Sequence, residues 1–460
     1  MSIENMSRAV SESASTTDTV TTTVTNPQST ELHPLQSTAR QCSVAVRREI
    51  FPHRVASTGR LFGTTENLEV LLRAYGIVAR YNIIKKDYEF LIPELSSVPD
   101  NYKTAALSEI DSLAALNNYP MGNLTRLLQG IAARNPYNPA AEWITSRPWD
   151  GQDRLPEFFD TIKVKPGYPT GFRNVLMHKW LLSGVAAACM PTGFRTRGVL
   201  TLQGGQRQGK TSWILSLVND PVLRPSLIKG DHLLDPNNKD SVLGAISHWF
   251  VEVGELDGSL RRSDIAAMKG FITRDQDKIR RPYAVAESDY QRRTVFCATV
   301  NDSNFLIDPT GNSRFWTIAT ESVNYQHDID MQQVFAQIYE QAFKTGQQWW
   351  LTPEEDAQLD AINGCHQVRT PIQERVVAVL DHTRPHDPQK DRLYSASELL
   401  HLLGYKSPKT NESRECGAVL REFLGDPHKV VHKINKWYVP FAKDADLSID
   451  EFLPVDDDPF

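Results

Sequence analysis

The sequence predicts an α/β fold built on a parallel sheet, and three observations predict it. Short, near-continuously apolar runs recur through the middle of the chain, at 199–202, 249–253, 294–300 and 315–319, with a weaker one at 227–229. Strands that are apolar throughout, rather than alternating, are strands covered on both faces. Segments with helical spacing separate them, which is the βα alternation of a covered parallel sheet. The run at 199–202 also leads directly into Gly204, Gly205, Gln206, Arg207, Gln208, Gly209, Lys210 and Thr211, and a helical stretch at 212–218 follows. That octet satisfies the phosphate-binding loop pattern G-x-x-x-x-G-K-[ST] at every fixed position, in strand–loop–helix context.

The chemistry explains the pattern. Glycines let backbone N–H groups close around a polyphosphate, and the following helix start adds partial positive charge. Lys210 is placed to reach the β- and γ-phosphates, and the Thr211 hydroxyl to ligate Mg²⁺. The expectation is a nucleoside triphosphate site at the carboxyl ends of the strands. The competing reading is a glycine-rich turn that matches by chance.

Composition bounds the rest. A chain of 460 residues with 40% hydrophobic residues has room for two or three domains with full cores. Its formal charge of −6 carries no global nucleic-acid signature, so DNA contacts would have to come from local basic patches. The five cysteines, Cys42, Cys189, Cys297, Cys365 and Cys416, are scattered with no C-x-x-C, which argues against a disulfide framework and structural zinc and for a reducing cytoplasm. The N-terminus lacks the basic start and apolar run of a signal peptide, and the longest apolar stretch, 180–190, is too short to span a bilayer. No membrane association is expected.

Along the chain, residues 1–40 are Ser/Thr-rich with almost no large apolar groups and read as a disordered tail. Residues 41–145 read as a small α+β module. In it Leu68, Leu71, Leu72 and Tyr75 sit at helical spacing, a hairpin forms around Lys85-Lys86-Asp87, and further helices follow at 105–116 and 124–134. Proline-punctuated residues 136–148 read as a linker. A helical region begins at 149–155, and its longest helix, 172–190, leads into the sheet domain, which spans 146–350.

Hydrolysis at a phosphate loop needs a carboxylate after a second strand. Glu252, inside the run at 249–253, and Glu255, at its end, both qualify. An isolated ionised Glu in a buried strand is costly, so a charged partner or a metal such as Mg²⁺ is expected at Glu252; structural pairing is the alternative for either acid. Asn301 ends the run at 294–300, where its amide can hold the attacking water or the γ-phosphate, or simply form a turn. Arg314, just before the run at 315–319, is a candidate arginine finger, the group that stabilises transition-state charge on a transferring phosphoryl. Acting in trans it would require an oligomer; otherwise it is a surface arginine. Between Glu255 and Thr294 lies a basic insert with Arg261, Arg262, Lys269, Arg274, Lys278, Arg280, Arg281, Tyr283, Arg292 and Arg293. Basic residues mixed with an aromatic suit a loop that tracks a DNA strand. Arg280 or Arg281 can instead contact the nucleotide, and a solvated charged face is the bland alternative.

Residues 365–443 hold 13 Lys and Arg against 9 Asp and Glu. A helix capped by Ser395 or Ser397, a second helix at 416–424, and strands at 429–434 and 436–440 around Asn435 give the helix–helix–hairpin order of a winged helix. Arg414 and Arg421 would lie on its recognition helix and Lys433 and Lys436 on its wing, facing DNA or a protein. Residues 444–460 carry seven acids and no base, an acidic tail.

Taken as an ordered series over roughly residues 65–350, these motifs resemble the virulence-associated protein E family of phages, prophages and mobile islands, which is related to superfamily 3 helicases. The series is Trp149-Asp150-Gly151 with Arg154, the loop 204–211, Glu252 to Leu256, Lys269-Gly270-Phe271 with Asp277, Arg280 to Tyr283, Thr299-Val300-Asn301 and Thr310 to Trp316. The resemblance implies an AAA+-like P-loop ATPase core that uses ATP and Mg²⁺ and forms a homo-oligomeric ring, a hexamer being one candidate. It also implies movement on single-stranded or forked DNA during replication, in a bacterial host cell. Two departures matter. The family commonly has two arginines where this chain has Ser313-Arg314, and only about 60 mostly polar residues precede the first helix of the N-terminal module, so primer synthesis is not expected. A nucleotide-dependent switch that binds a replication protein without unwinding DNA remains open, as does a small-molecule phosphotransferase.

Overall fold

A computed structural model describes residues 44–254, 262–280, 287–306, 312–367, 370–381, 383–430, 434–443, 445 and 447, without the side chains of 262–266, 429 and 430. The Ser/Thr-rich segment, Glu255, Arg261, Arg281, Tyr283 and Lys433 lie outside the described residues, as does the acidic tail apart from Ala445 and Leu447. The chain divides into two compact units, the first formed by residues up to Tyr81 with Tyr88–Pro136, the second by Asn82–Asp87 and the chain from Tyr137.

The first unit contains the expected helices, at Thr65–Ala74, Tyr102–Leu116 and Leu124–Ala133, and the expected hairpin has strands Val78–Asn82 and Asp87–Leu91. Thr64 Oγ1 accepts the N–H of Asn67 at 3.4 Å and caps the first helix. Leu68, Leu71 and Leu72 are buried from one face of it, in a core with Ile110, Leu113 and Leu128.

In the second unit, β1 (Ile162–Val164), β2 (Val199–Gln203), β3 (Ile228–His232), β4 (Phe250–Val253), β7 (Val295–Val300) and β8 (Phe315–Val323) form a six-stranded sheet of order β1-β8-β2-β7-β4-β3. All neighbours run parallel except β1, which pairs antiparallel with β8. The apolar runs are strands because both faces are covered: every residue of β2 and β4 is buried. One face packs on α1 (Thr170–Cys189), where rings of Trp180, Trp249, Phe250 and Phe335 meet at 4.6–6.0 Å. Their indole N–H groups are satisfied in place, Trp180 by the carbonyl of Phe296 at 2.9 Å and Trp249 by that of Gly184 at 2.8 Å. The opposite face packs on α3 (Lys239–Ile246) and α4 (Arg262–Ile272) through Val242, Ile246, Met268 and Phe271.

Residues 136–148 are not a linker. Asn138 Oδ1 caps a helix at Pro139–Thr145, accepting from Ala141 N at 3.1 Å, and Trp143 and Ile144 enter the core. The helical region expected to begin at 149–155 starts at Leu155. The segment before it is fastened to α5 (Met331–Ile338): Asp150 N and Arg154 N donate to the buried Gln333 and Gln337 at 2.9 and 3.0 Å. Arg154 also grips Asp150 with two bonds of 2.6–2.7 Å, which holds that carboxyl well below the usual range.

Two members of the basic insert are structural. Arg292 is buried on Asp277, with two bonds of 2.8 Å, and its guanidinium lies 4.3 Å from the Phe271 ring centroid. This pair roots a hairpin of β5 (Gln276–Ile279) and β6 (Ser288–Gln291). Arg293 donates to the carbonyls of Ala187, Ala188, Met190 and Pro191, satisfying the end of α1.

α6 (Pro353–Gly364) precedes the C-terminal elements α7 (Pro371–Val379), β9 (Arg392–Ser395), α8 (Ala396–Leu402), α9 (Thr410–Leu424), β10 (His428–Val430) and β11 (Ile434–Val439). The sheet is antiparallel with order β9-β11-β10. Ser395 is the cap of α8, in a capping box with Glu398. Asn435 lies within β11, which begins at Ile434, so the second strand starts earlier than the sequence suggested. Among the described residues no helix is long and apolar enough to cross a membrane.

Burial holds five histidines, His178, His232, His248, His327 and His366, below their ordinary value of 6.5, His248 at about 4. The unfolded chain therefore binds more protons than the folded one below that value. Their stabilising effect is complete above pH 6.5 and is lost as the pH falls toward 4. Melting temperature is expected to fall between pH 7 and pH 5, and a His248→Gln variant to show a shallower fall.

Candidate functional site

The site is built at the carboxyl end of β2, between β8 on one side and β7 on the other. As β2 ends, Gly204 N donates to Val300 O at 3.0 Å, tying the loop to the end of β7. The loop passes through two left-handed residues, Arg207 (φ 66°) and Gly209 (φ 80°), and α2 (Lys210–Ser216) begins immediately after. A Cβ at position 204 would collide with Thr320 Oγ1 and Gln208 Oε1, and one at 209 with the ring of Tyr325, so both glycines are required by contact. The Gln208 amide is anchored to β8, donating to Glu321 O at 2.9 Å, with Thr320 Oγ1 3.0 Å from its oxygen. Gln206 and Arg207 are the outer positions of the turn.

Lys210 is 6% exposed. Its ammonium donates to Gly204 O at 2.7 Å, Gly205 O at 2.8 Å and Asn301 Oδ1 at 3.1 Å. Glu252, on β4, is 1% exposed, and its carboxylate accepts three hydrogen bonds. Thr211 Oγ1 donates to Oε1 at 2.7 Å, Thr299 Oγ1 to the same oxygen at 2.8 Å, and Asp231 N to Oε2 at 3.1 Å. A buried carboxylate in a strand is tolerable because its lone pairs are met this way. Cys297 pairs with Glu252 across β7 and β4, and burial, reinforced by the Glu252 charge, holds its thiol well above the usual range.

Lys210, Thr211, Glu252 and Asn301 thus converge at the ends of β2, β4 and β7. Thr299 and Asp231 join them; the sequence marks Thr299 within an apolar run and beside Asn301 in the motif Thr299-Val300-Asn301, without a role of its own, and Asp231 not at all. Lys165, 2.9 Å from Gln203 Oε1, is a further cation at this end of the sheet and has no sequence signal of its own.

Arg314 is not part of this cluster. It precedes β8, whose Phe315 pairs with Val199 and whose Ala319 pairs with Gln203, so it stands at the amino end of the parallel strands. Five strand residues at roughly 3.3 Å each separate it from the loop end. The DNA-facing candidates also separate. Lys269 is buried, its ammonium 5.9 Å from the Phe315 ring centroid, so it offers no surface to a strand. Lys278 is exposed on β5 and 3.7 Å from Asp289, and Arg280 is exposed where β5 ends. Arg414 and Arg421 are exposed on α9, whereas Lys436 is tied to Glu398 at 2.8 Å.

Comparison with known proteins gives one family: residues 144–368 match the virulence-associated protein E-like domain. Among solved structures, the A-form apo structure of the NrS-1 C-terminal region is similar with a TM-score of 0.38 and 14% identity, covering 81% of this chain and 98% of that one. The apo structure of the NrS-1 C-terminal region (305–718) follows at 0.31 and 12%, with the same coverage. No curated protein matches the chain.

Replacing Thr299 by the isosteric valine removes one of the three donors to the Glu252 carboxylate without altering the loop. The expected cost is about 1–3 kcal/mol of folding stability, measured by denaturant titration.

Proposed function

Since residues 144–368 form a virulence-associated protein E-like domain, we propose that this chain is an ATP-hydrolysing DNA helicase or replication-initiation ATPase of a phage, prophage or mobile element. The observation that carries the reading is the meeting of Lys210 and Thr211 with Glu252 and Asn301 at the carboxyl ends of three parallel strands. Both spatial neighbours of β2 are later strands, so the loop opens at the point where the strand order reverses, the place where such sheets take ligands. On this reading the core is an AAA+-like P-loop fold.

Each residue then has a task. Backbone N–H groups of 204–209 surround the phosphates, and Lys210 exchanges its carbonyl partners for β- and γ-phosphate oxygens. Thr211 and Glu252 are the residues that would hold Mg²⁺. The donor set fits, since Mg²⁺ takes hard oxygens, commonly one or two carboxylates completed by phosphates and water, and these two side chains already touch. The ion when bound neutralises charge on the phosphate oxygens. Asn301 orients the attacking water, and Glu252 or Glu255 accepts its proton. Arg314, standing at the other end of the sheet, serves the loop of a neighbouring copy, which makes the working form a homo-oligomeric ring, a hexamer being one candidate.

DNA is engaged by the β5–β6 hairpin, with Arg280 where β5 ends and Arg281 and Tyr283 following it in sequence, and by α9 of a winged-helix-like module formed by α7 to β11. There Arg414 and Arg421 present a basic face for phosphates. A replication protein is a further candidate partner for that module.

Steady-state ATP hydrolysis by the full chain is expected to rise on adding single-stranded or forked DNA, and Lys210→Ala to lower turnover by about 10² or more. Turnover indifferent to DNA would contradict the motor and favour a nucleotide switch.

A further inference from the structure

The phosphate loop carries an aromatic ring on its outer side. Tyr325, two residues beyond β8, packs against the backbone of Gly209: ring atoms Cδ1, Cε1 and Cγ are the nearest neighbours of the position a Cβ there would take. The residue is nevertheless 41% exposed. The segment that carries it is fixed on both sides. Before it, Asn324 N donates to Thr161 O at 2.7 Å, and Asn324 Oδ1 accepts from Gln326 N at 3.2 Å. After it, His327 Nε2 lies 3.1 Å from Ser216 Oγ on α2, and the His327 ring meets Phe158 edge-on at 5.8 Å.

An exposed aromatic usually gains little from its position, and a loop tip would let it move. Here the hydrogen bonds of Asn324 to Thr161 and of His327 to α2 hold the side of the ring formed by Cγ, Cδ1 and Cε1 on the loop, while much of the residue stays open to solvent. The loop's own groups address only phosphate. A planar apolar surface held beside Gly209 offers what the remainder of a nucleotide needs, a flat partner for its base.

We propose that Tyr325 is the platform on which the nucleoside of a bound nucleoside triphosphate packs, an inference that rests on the nucleotide reading of the loop. Stacking on an aromatic face is tolerant of base identity, so the platform adds affinity for nucleosides without strict choice among them.

The test is calorimetric titration of the full chain with ATP and, separately, with inorganic tripolyphosphate, both with Mg²⁺, for wild type, Tyr325→Ala and Tyr325→Phe. Tyr325→Ala is expected to weaken ATP binding about tenfold or more, Tyr325→Phe to preserve it, and tripolyphosphate affinity to stay the same in all three. Unchanged ATP affinity in Tyr325→Ala overturns the platform while leaving the loop reading intact. Equal weakening of both ligands overturns it too, by showing that the ring only props the loop, and tighter binding of both shows a lid instead. If wild type binds neither ligand, the loop is not a phosphate site and the platform falls with it.

Discussion

The arrangement depends on one buried carboxylate. Glu252 sits in a strand with no exposed residue, and three hydrogen-bond donors make that position tolerable. Those donors come from α2, β7 and the end of β3. The same bonds therefore fix the first turn of α2, and with it Lys210, against the ends of the neighbouring strands. The charge sets the geometry of the loop, and the parallel sheet supplies the low-dielectric surroundings in which that charge acts strongly.

A second constraint comes from strand direction. Because β2 and β8 run parallel in register, a residue before β8 and a loop after β2 are held at opposite ends of the sheet. Any role for Arg314 at a phosphate loop is thus a role between copies. On the proposed reading, hydrolysis and assembly are coupled by this geometry. The β5–β6 hairpin, rooted by the buried Arg292–Asp277 pair, is held by the same sheet through the core that α4 shares with β7.

Much of this was legible. Uninterrupted apolar runs located the buried strands, and the G-x-x-x-x-G-K-[ST] spacing located the loop. The helices missed share a cause. Pro139–Thr145, Pro353–Gly364 and Pro371–Val379 each open with proline at the first helical position, after Asn138, Thr352 or Thr370 as cap. At 136–148 the prolines read in the sequence as a break, yet the fixed φ and missing N–H of proline suit a helix start. The arginines of the insert illustrate a different limit. Arg292 and Arg293 look like their neighbours in sequence, and only the placement of Asp277 and the end of α1 makes them structural. Tyr325 left no sequence signal, because its contact with Gly209 joins segments more than a hundred residues apart.

The central claim is that Glu252 serves hydrolysis as well as holding the loop. The measurement that tests it most directly is single-turnover ATP hydrolysis by Glu252→Gln at saturating protein and Mg²⁺. The amide keeps one acceptor oxygen for Thr211 and Thr299, gives up the bond from Asp231 N, and removes the charge. The account predicts a folded protein that still binds ATP and turns it over at least about 10²-fold more slowly. Turnover equal to wild type would contradict it, leaving Glu252 as a structural tether alone.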